Sequence, residues 1–210
     1  MIWHKAQGAG GVGGAQPDII GFEVGAVTLD PSVNTPSGIV DGNLLVWTGA
    51  ISSNEWQSIA SDVSAAGFTM RSTNFTDTNP SCFVATRVVN GSEAASYSLN
   101  SNDEGLCAMI ALNLTFDVAG AFTKDSFDTS FDITGITVAN AGSYLFTVGG
   151  IGDDSALTVV SGTELFNTGG VDDPTLAVHY EIVSAGASGT RTITRTSTTG
   201  GIGGVLFAAY

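Results

Sequence analysis

The chain has 210 residues, enough for one large domain with a substantial core or for two very small domains. Only 12% of the residues are charged, but 20 are acidic and 6 are basic, which gives a formal net charge of −14. Such a surface repels phosphate backbones and anionic lipid headgroups, so we expect no nucleic-acid partner and no membrane partner. The 28 glycines disfavour helices and suit short strands joined by tight turns.

Residues 1–16 differ in composition from the rest of the chain. Their glycine-rich stretch, residues 8–14, contains the pattern G-x-G-x-x-G, but a dinucleotide site needs a strand before this pattern and a helix after it. The segment also lacks the apolar region of a secretory signal, so we expect none. We predict a flexible N-terminal arm, with a disordered tail as the alternative. In the arm hypothesis, a neighbouring subunit is contacted by Ile2, Trp3 and Lys5.

From residue 19 onward, short apolar blocks alternate with turn residues, which predicts one strand after another. The predicted strands are residues 19–24, 26–29, 44–47, 82–89, 95–99, 106–112, 133–138, 144–148, 157–160, 176–183, 191–195 and 205–210. Only residues 52–66 show helical spacing of apolar side chains, which predicts one short helix that Ser53 or Asn54 could cap. A long series of short strands is typical of an all-β antiparallel sandwich or barrel.

The two halves of the chain resemble each other. Identical residues occur at Gly42 and Gly142, Leu45 and Leu145, Gly49 and Gly149, and Ile51 and Ile151. The aligned segments are 41–51 with 141–151, 86–92 with 180–186, 96–99 with 190–193, and 108–112 with 204–208.

This internal repeat predicts how the chain is organised. Two copies of about four or five strands each are too small for comfortable independent cores. We therefore predict half-repeats of about 39–114 and 136–210 that pack face to face in one antiparallel β-sandwich, a jelly roll spanning 17–210 with pseudo-twofold symmetry. Residues 117–132 would form the crossover between the halves. Two small β-domains in tandem are the alternative.

Few residues suit catalysis. One of the two histidines, His4, lies in the arm, and the other, His179, falls on the polar face of a predicted strand, where we expect it to be solvated. Cys82 and Cys107 have no papain-like or zinc-ligand spacing, and we expect buried free thiols, with a disulfide as the alternative. No serine lies in a nucleophile elbow. We therefore predict a protein that is not an enzyme and has no cofactor.

Acidic pairs in two predicted loops are candidate ligand residues. Asp153, Asp154, Asp172 and Asp173 could converge at one end of the sandwich, where their oxygens would suit a hard cation such as calcium. The alternative, which we favour, is that they keep an apolar-rich protein soluble, so we assign no metal.

Aromatic side chains are candidates for carbohydrate binding. Trp56 is the one expected to be exposed at a loop tip, whereas Trp47 lies in an apolar strand and is expected in the core. Tyr97 and Tyr144 are further candidates.

Several segments resemble the motifs of a jelly-roll domain common in tailed-phage structural proteins. Residues 41–46, DGNLLV, look like its opening DGDLLV, and residues 65–69, AAGFT, resemble its P-x-G-W-T step, with Phe68 in place of tryptophan. Residues 85–99, ATRVVNGSEAASYSL, resemble YKVA-x-GSEPASYTW, and residues 176–192 resemble the closing part. The resemblance covers about residues 20–210.

The resemblance implies a non-enzymatic structural protein located in the virion. The chain lacks the long repetitive shaft of a tail fibre, so we expect a capsid decoration or cement protein that stabilises the shell by many weak contacts. Its expected partners are the major capsid protein or other virion proteins, and we expect a homo-oligomer. The alternative is a receptor- or glycan-binding module of a phage tail or a cell-surface structure.

Overall fold

A computed structural model describes residues 19–52, 56–72, 81–121, 123–125, 128–153, 156–169, 174–196 and 201–210. The first half contains β1 (Ile19–Val24), β2 (Ser32–Asn34), β3 (Leu44–Ile51), α1 (Trp56–Ala65), β4 (Thr69–Met70), β5 (Ser81–Val88), β6 (Ser96–Ser98) and β7 (Gly105–Leu112). The second half contains β8 (Phe116–Ala119), β9 (Thr123–Asp125), β10 (Ser130–Ile133), β11 (Thr137–Val138), β12 (Ser143–Ile151), β13 (Leu157–Val159), β14 (Thr163–Asn167), β15 (Thr175–Val183), β16 (Gly186–Ala187), β17 (Arg191–Arg195) and β18 (Ile202–Ala209).

Two large antiparallel sheets form the centre of the molecule. The first sheet has the order β1-β7-β3-β5-β4, and the second has the order β14-β15-β12-β18-β8, with β9 also pairing with β18. Their middle strands, β3 and β12, are buried along their whole length. The predicted all-β antiparallel sandwich class is therefore confirmed, as is the single helix within residues 52–66 among the described residues. The jelly-roll connectivity stays a prediction.

The two sheets stack with their strands in corresponding positions. At one edge, the ring of Phe22 on β1 stacks on Phe166 of β14 with 5.4 Å between centroids. At the other edge, the Arg71 guanidinium carbon lies 4.2 Å from the ring centre of Phe116, the first residue of β8. In the middle, Gly150 of β12 lies directly against β3 and β5. These contacts require β3 and β12 to run in the same direction, so both strands begin at one end of the sandwich.

An additional layer covers the outer face of each large sheet. On the first sheet, α1 buries Ile59 and Val63, and the β2–β6 ribbon buries Val33 and Tyr97. On the second sheet, the cover is the three-stranded sheet β10-β17-β13 together with the pair β11–β16. The four layers leave both faces of each central sheet apolar, and this explains why β3 and β12 read as continuous apolar runs.

An aromatic cluster joins the outer cover to the first sheet. Trp47 is fully buried, and its ring centre lies 5.4 Å from that of Phe68, 5.8 Å from Phe83 and 5.7 Å from Tyr97. Phe68 and Tyr97 also pack edge to face at 5.0 Å. Edge-to-face and tilted pairs at this spacing add to the free energy of burial.

The strand registers test the internal repeat residue by residue. Leu45 pairs with Arg87, and Leu145 pairs with Glu181, so the alignment of 86–92 with 180–186 is confirmed. Leu45 also pairs with Ala111, but Leu145 pairs with Ala208. The aligned pair 108–112 and 204–208 was therefore wrong by one residue. A slip of one residue matters, because it would turn every side chain of β18 to the opposite face.

Other differences concern short or half-exposed strands. Residues 117–132 were expected to form only a crossover, but they contain parts of β8, β9 and β10, which extend the second sheet and its cover. The predicted strand 26–29 is reduced to one bridge at Thr28. The predicted arm lies outside the described residues, and the domain and half-repeat boundaries stay predictions.

The two cysteines are buried free thiols, as expected. Cys82 faces the second sheet, where its sulfur lies beside Gly150, whereas Cys107 lies beside Gly49 on the opposite face of the first sheet. Burial raises the pKa of both thiols, that of Cys107 to about 12, with the Trp47 side chain slightly opposing the rise. Both side chains therefore act as small apolar groups in the core.

Candidate functional site

An open groove of about 630 Å³ lies at the end of the sandwich where β3 and β12 begin. One wall comes from β4, β5 and the turns beside them, and the other comes from the segment that leads into β8. The groove is therefore built by both halves of the chain. It is lined by Gly42, Leu44, Gly67, Thr69, Arg71, Thr86, Arg87, Val88, Asn90, Leu114, Thr115 and Phe116.

Arg71 is held in place on one side of this groove. It follows β4, and its backbone N–H donates to the carbonyl of Val84 at 2.8 Å. Its Nε donates to Oγ1 of Thr86 at 2.7 Å, and its guanidinium lies over the Phe116 ring. Burial lowers the pKa of Arg71, but an arginine keeps its proton at any physiological pH. The charge is thus fixed in position and permanently present.

Arg87, the second arginine of the groove, is already neutralised. Its Nε lies 3.3 Å from Oε2 of Glu93, and its Nη1 donates to the carbonyl of Ala66 at 2.9 Å. The Glu93 carboxylate also accepts from the hydroxyl of Tyr97 at 2.7 Å and from the backbone N–H of Asn90 at 3.3 Å. Burial and this carboxylate raise the pKa of Tyr97. Arg87 therefore holds the turn at residues 66–67 against β5.

The remaining arginines are also paired with carboxylates. Arg191 pairs with Glu181, and Arg195 lies with its Nη1 3.9 Å from Oδ2 of Asp153. Among the residues that the structure describes, Arg71 is the one arginine without a carboxylate partner. In a chain with 20 acidic and 6 basic residues, an unpaired and oriented arginine at a groove indicates a site for an anion.

The structure places the sequence-predicted site residues at the other end of the sandwich or outside its described part. Trp56 is the first residue of α1, shortly after the end of β3, and its side chain is outside the part of the chain that the structure describes. Also outside the described residues are Ile2, Trp3, Lys5, Asp154, Asp172 and Asp173.

Asp153 is not the exposed loop tip that we expected. The residue is 8% exposed, its carboxylate faces Arg195, and its carbonyl accepts from Oγ1 of Thr175 at 3.2 Å. The start of β15 thus meets the loop after β12, and the convergence of the two acidic loops stays a prediction, because Asp154, Asp172 and Asp173 lie outside the described residues. Within the described ranges, no group of three or more His, Cys, Asp or Glu side chains could hold a metal ion.

Three further residues that we expected to be exposed are buried in the structure. Tyr97 and Tyr144, candidates for carbohydrate contact, are 6% and 9% exposed and belong to the core. His179 is 7% exposed instead of solvated, because the β10-β17-β13 cover lies over its face of the second sheet. Neither ring nitrogen of His179 has a hydrogen-bond partner among the described residues, and Nε2 lies 3.6 Å from Oε2 of Glu164.

We expect His179 to make stability depend on pH. Burial lowers the pKa of His179 below its ordinary 6.5, and the Glu164 carboxylate partly opposes this shift. Below about pH 6.5 the unfolded chain therefore binds more protons than the folded chain, so the free energy of unfolding falls as the pH is lowered. Urea denaturation at pH 7.5, 6.5 and 5.5 measures this loss.

Two variants separate His179 from other titrating groups. His179→Leu should flatten the dependence over this range, because the buried group that binds the proton is gone. Glu164→Gln should steepen it, since the carboxylate that favours the protonated imidazole is removed. An equally steep loss in His179→Leu would contradict the assignment.

No protein-family model matches the chain, and no curated protein matches its sequence. In the part of the chain that the structure describes, no helix has both the length and the apolar character needed to cross a membrane.

The groove residues Arg71, Arg87 and Phe116 were not identified from the sequence. The low number of basic residues was the available signal for the two arginines, because the chain has only 6 arginines and lysines in total.

Proposed function

We propose that the protein is a non-enzymatic structural component of a tailed-phage virion, a decoration or cement protein of the capsid. The observation that carries the proposal is that the segments resembling the phage jelly-roll domain meet in one packed unit. Phe68 of the second segment packs on Trp47, which directly follows the first, and on Tyr97 of the third. Arg87 of the third segment donates to the carbonyl of Ala66 in the second.

These contacts support treating the first three motifs as one signature, because each of them packs against or hydrogen-bonds to another of the three. The polar network around Glu93 is fully internal to the third segment, apart from the link of Arg87 to Ala66. A rigid sandwich of this kind suits a protein that acts by surface contacts repeated over a shell.

The copy number in purified virions tests the proposal. Quantitative mass spectrometry should find the protein at a level close to that of the major shell protein. Deletion of residues 1–16 should leave the sandwich folded, as judged by circular dichroism, but abolish attachment to shells, because the proposed docking residues are removed. A handful of copies per virion would overturn the decoration role, and normal shell binding by the truncated protein would overturn the arm's role.

The second candidate is a receptor- or glycan-binding module of a phage tail or a cell-surface structure. The specific observation in its favour is the groove with the unpaired Arg71, since ligand sites are concave and carry a few oriented polar groups. A low copy number in virions together with saturable glycan binding would favour this candidate over decoration.

A further inference from the structure

We infer that the groove around Arg71 binds the carboxylate of an acidic sugar, a uronic or sialic acid at the end of a glycan. The inference goes beyond capsid decoration and gives the second candidate function a ligand class and a residue. It rests on the geometry of the groove, on the charge balance of the chain and on the absence of a carboxylate partner for Arg71 among the described residues.

The guanidinium of Arg71 is oriented before any ligand binds. Its Nε donates a hydrogen bond to Oγ1 of Thr86. Its guanidinium carbon lies 4.2 Å from the centre of the Phe116 ring, and this contact restricts the orientation of the guanidinium group. The two terminal nitrogens have no described hydrogen-bond partner, and Arg71 lines the groove. These two terminal nitrogens can donate two parallel hydrogen bonds, which matches the two oxygens of a carboxylate. Because the side chain is already fixed, binding costs little further side-chain entropy.

The net charge limits the size of the anion. A chain with a formal net charge of −14 repels a bound polyanion, because many of the ligand's charges then lie within a Debye length of the protein's carboxylates. A single carboxylate at direct contact with Arg71 still gains a charge-assisted hydrogen bond. Arg87 adds no net attraction, since Glu93 lies 3.3 Å from it. The site therefore fits one anionic group on an otherwise neutral ligand.

The remaining lining favours a sugar over an acidic peptide. Hydroxyl and amide groups of Thr69, Thr115 and Asn90 can hydrogen-bond to sugar hydroxyls, and Leu44 and Leu114 offer small apolar contacts. A volume of about 630 Å³ lies within the range of small-ligand pockets. Extended peptides usually add a strand to a sheet edge, but β4 is only two residues long and offers little edge for pairing.

Phe116 is a positioning residue that comes from the other half of the chain. The backbone of Thr115, beside it, exchanges two hydrogen bonds with Tyr210, at 2.7 Å and 2.9 Å. These bonds fix the start of β8 and with it the ring under Arg71. Because Arg71 and Phe116 lie on different sheets, the site exists only where the two sheets are stacked.

Titration with 3′-sialyllactose and methyl β-glucuronide, followed by chemical-shift changes in NMR spectra, tests the inference. Lactose and methyl β-glucoside are the neutral counterparts. We expect at least one acidic sugar to bind about tenfold or more tightly than its neutral counterpart, and to bind more weakly as salt is added. Equal binding of acidic and neutral sugars, or no saturable binding of either acidic sugar at millimolar concentration, would overturn the inference.

Variants assign the binding to Arg71. Arg71→Gln should weaken binding of the acidic sugar about tenfold or more, and Arg71→Lys should give an intermediate loss because the charge remains but the two parallel hydrogen bonds are lost. Phe116→Leu should also weaken binding although no charge is removed. The matched control is Arg191→Gln, which removes the same charge where Glu181 already pairs with it, and it should leave the affinity unchanged. Circular dichroism and thermal unfolding show that each variant is folded.

An acidic peptide, acetyl-Glu-Glu-amide, tests whether the bound carboxylate belongs to a peptide instead of a sugar. Tighter binding of this peptide than of both acidic sugars would overturn the sugar assignment. The test is independent of the virion proposal, because loss of sugar binding in Arg71→Gln says nothing about copy number, and a virion with few copies leaves the sugar titration unaffected.

Discussion

Replacing Trp47 with alanine is expected to lower the free energy of unfolding by about 4 kcal/mol, the range found for large buried aromatic side chains. The side chain is fully buried and contacts three other rings that come from the turn after α1, from β5 and from β6. Its loss leaves a cavity that these separate elements cannot close together. Urea denaturation with an unchanged m-value measures the effect.

The control for this prediction is Thr147→Ala at the equivalent position of the second half. Thr147 is 2% exposed, but it carries few apolar atoms, so its loss should cost only about 1 kcal/mol. If Trp47→Ala were as stable as Thr147→Ala or more stable, the aromatic cluster would not hold the outer cover to the first sheet.

Replacing Gly150 with alanine is expected to cost about 2 to 3 kcal/mol through overpacking. A Cβ at this position would lie 2.4 Å from the sulfur of Cys82 and 3.0 Å from the Cβ of Ala50, so the two central sheets would have to separate locally. Thermal and urea unfolding of the purified variant measure the loss.

A second substitution tests whether the sulfur is the cause. Cys82→Ala in the Gly150→Ala background should recover part of the stability, a non-additive result that identifies the colliding pair. The matched control is Gly149→Ala on the opposite face, where the new methyl group meets the flexible ends of Ile193 and Leu157 at 3.2 and 3.3 Å. Its cost should be smaller. Equal losses in both glycine variants, without recovery by Cys82→Ala, would contradict close packing of the sheets at Gly150.

The sequence predicted the parts of the fold that leave a local pattern. Apolar runs flanked by glycine turns indicated β3, β5, β7, β12 and β15 near their observed positions. The repeat indicated that two similar units pack together, and one core cluster contains residues from both halves, although the half-repeat boundaries stay predictions. Short edge strands were missed, because β8, β9 and β14 are short or half-exposed and lack regular alternation.

Burial on the outer faces was harder to predict than strand position. His179 occupies a polar position of an alternating strand, and alternation predicts a solvated face only when nothing covers that face. The cover comes from β13 and β17, which neighbour β15 in space but lie in a different sheet. The contact between Arg71 and Phe116 was hard to predict for a similar reason, since the two residues lie in different halves of the chain and meet only after the sheets stack.

The common direction of β3 and β12 gives the molecule a top and a bottom that are chemically different. The turns at Gly42 and Gly142 both open on the groove end, and both glycines have positive φ, 93° and 82°, with open space where a side chain would be. The loop of Asp153 and the start of α1 belong to the other end. The molecule therefore has a direction, with the turns before β3 and β12 at one end and the segments that follow these strands at the other. Turning the molecule over would exchange the groove for the end that carries the start of α1 and the Asp153 loop, so a neighbour that binds one end also fixes the orientation of the molecule.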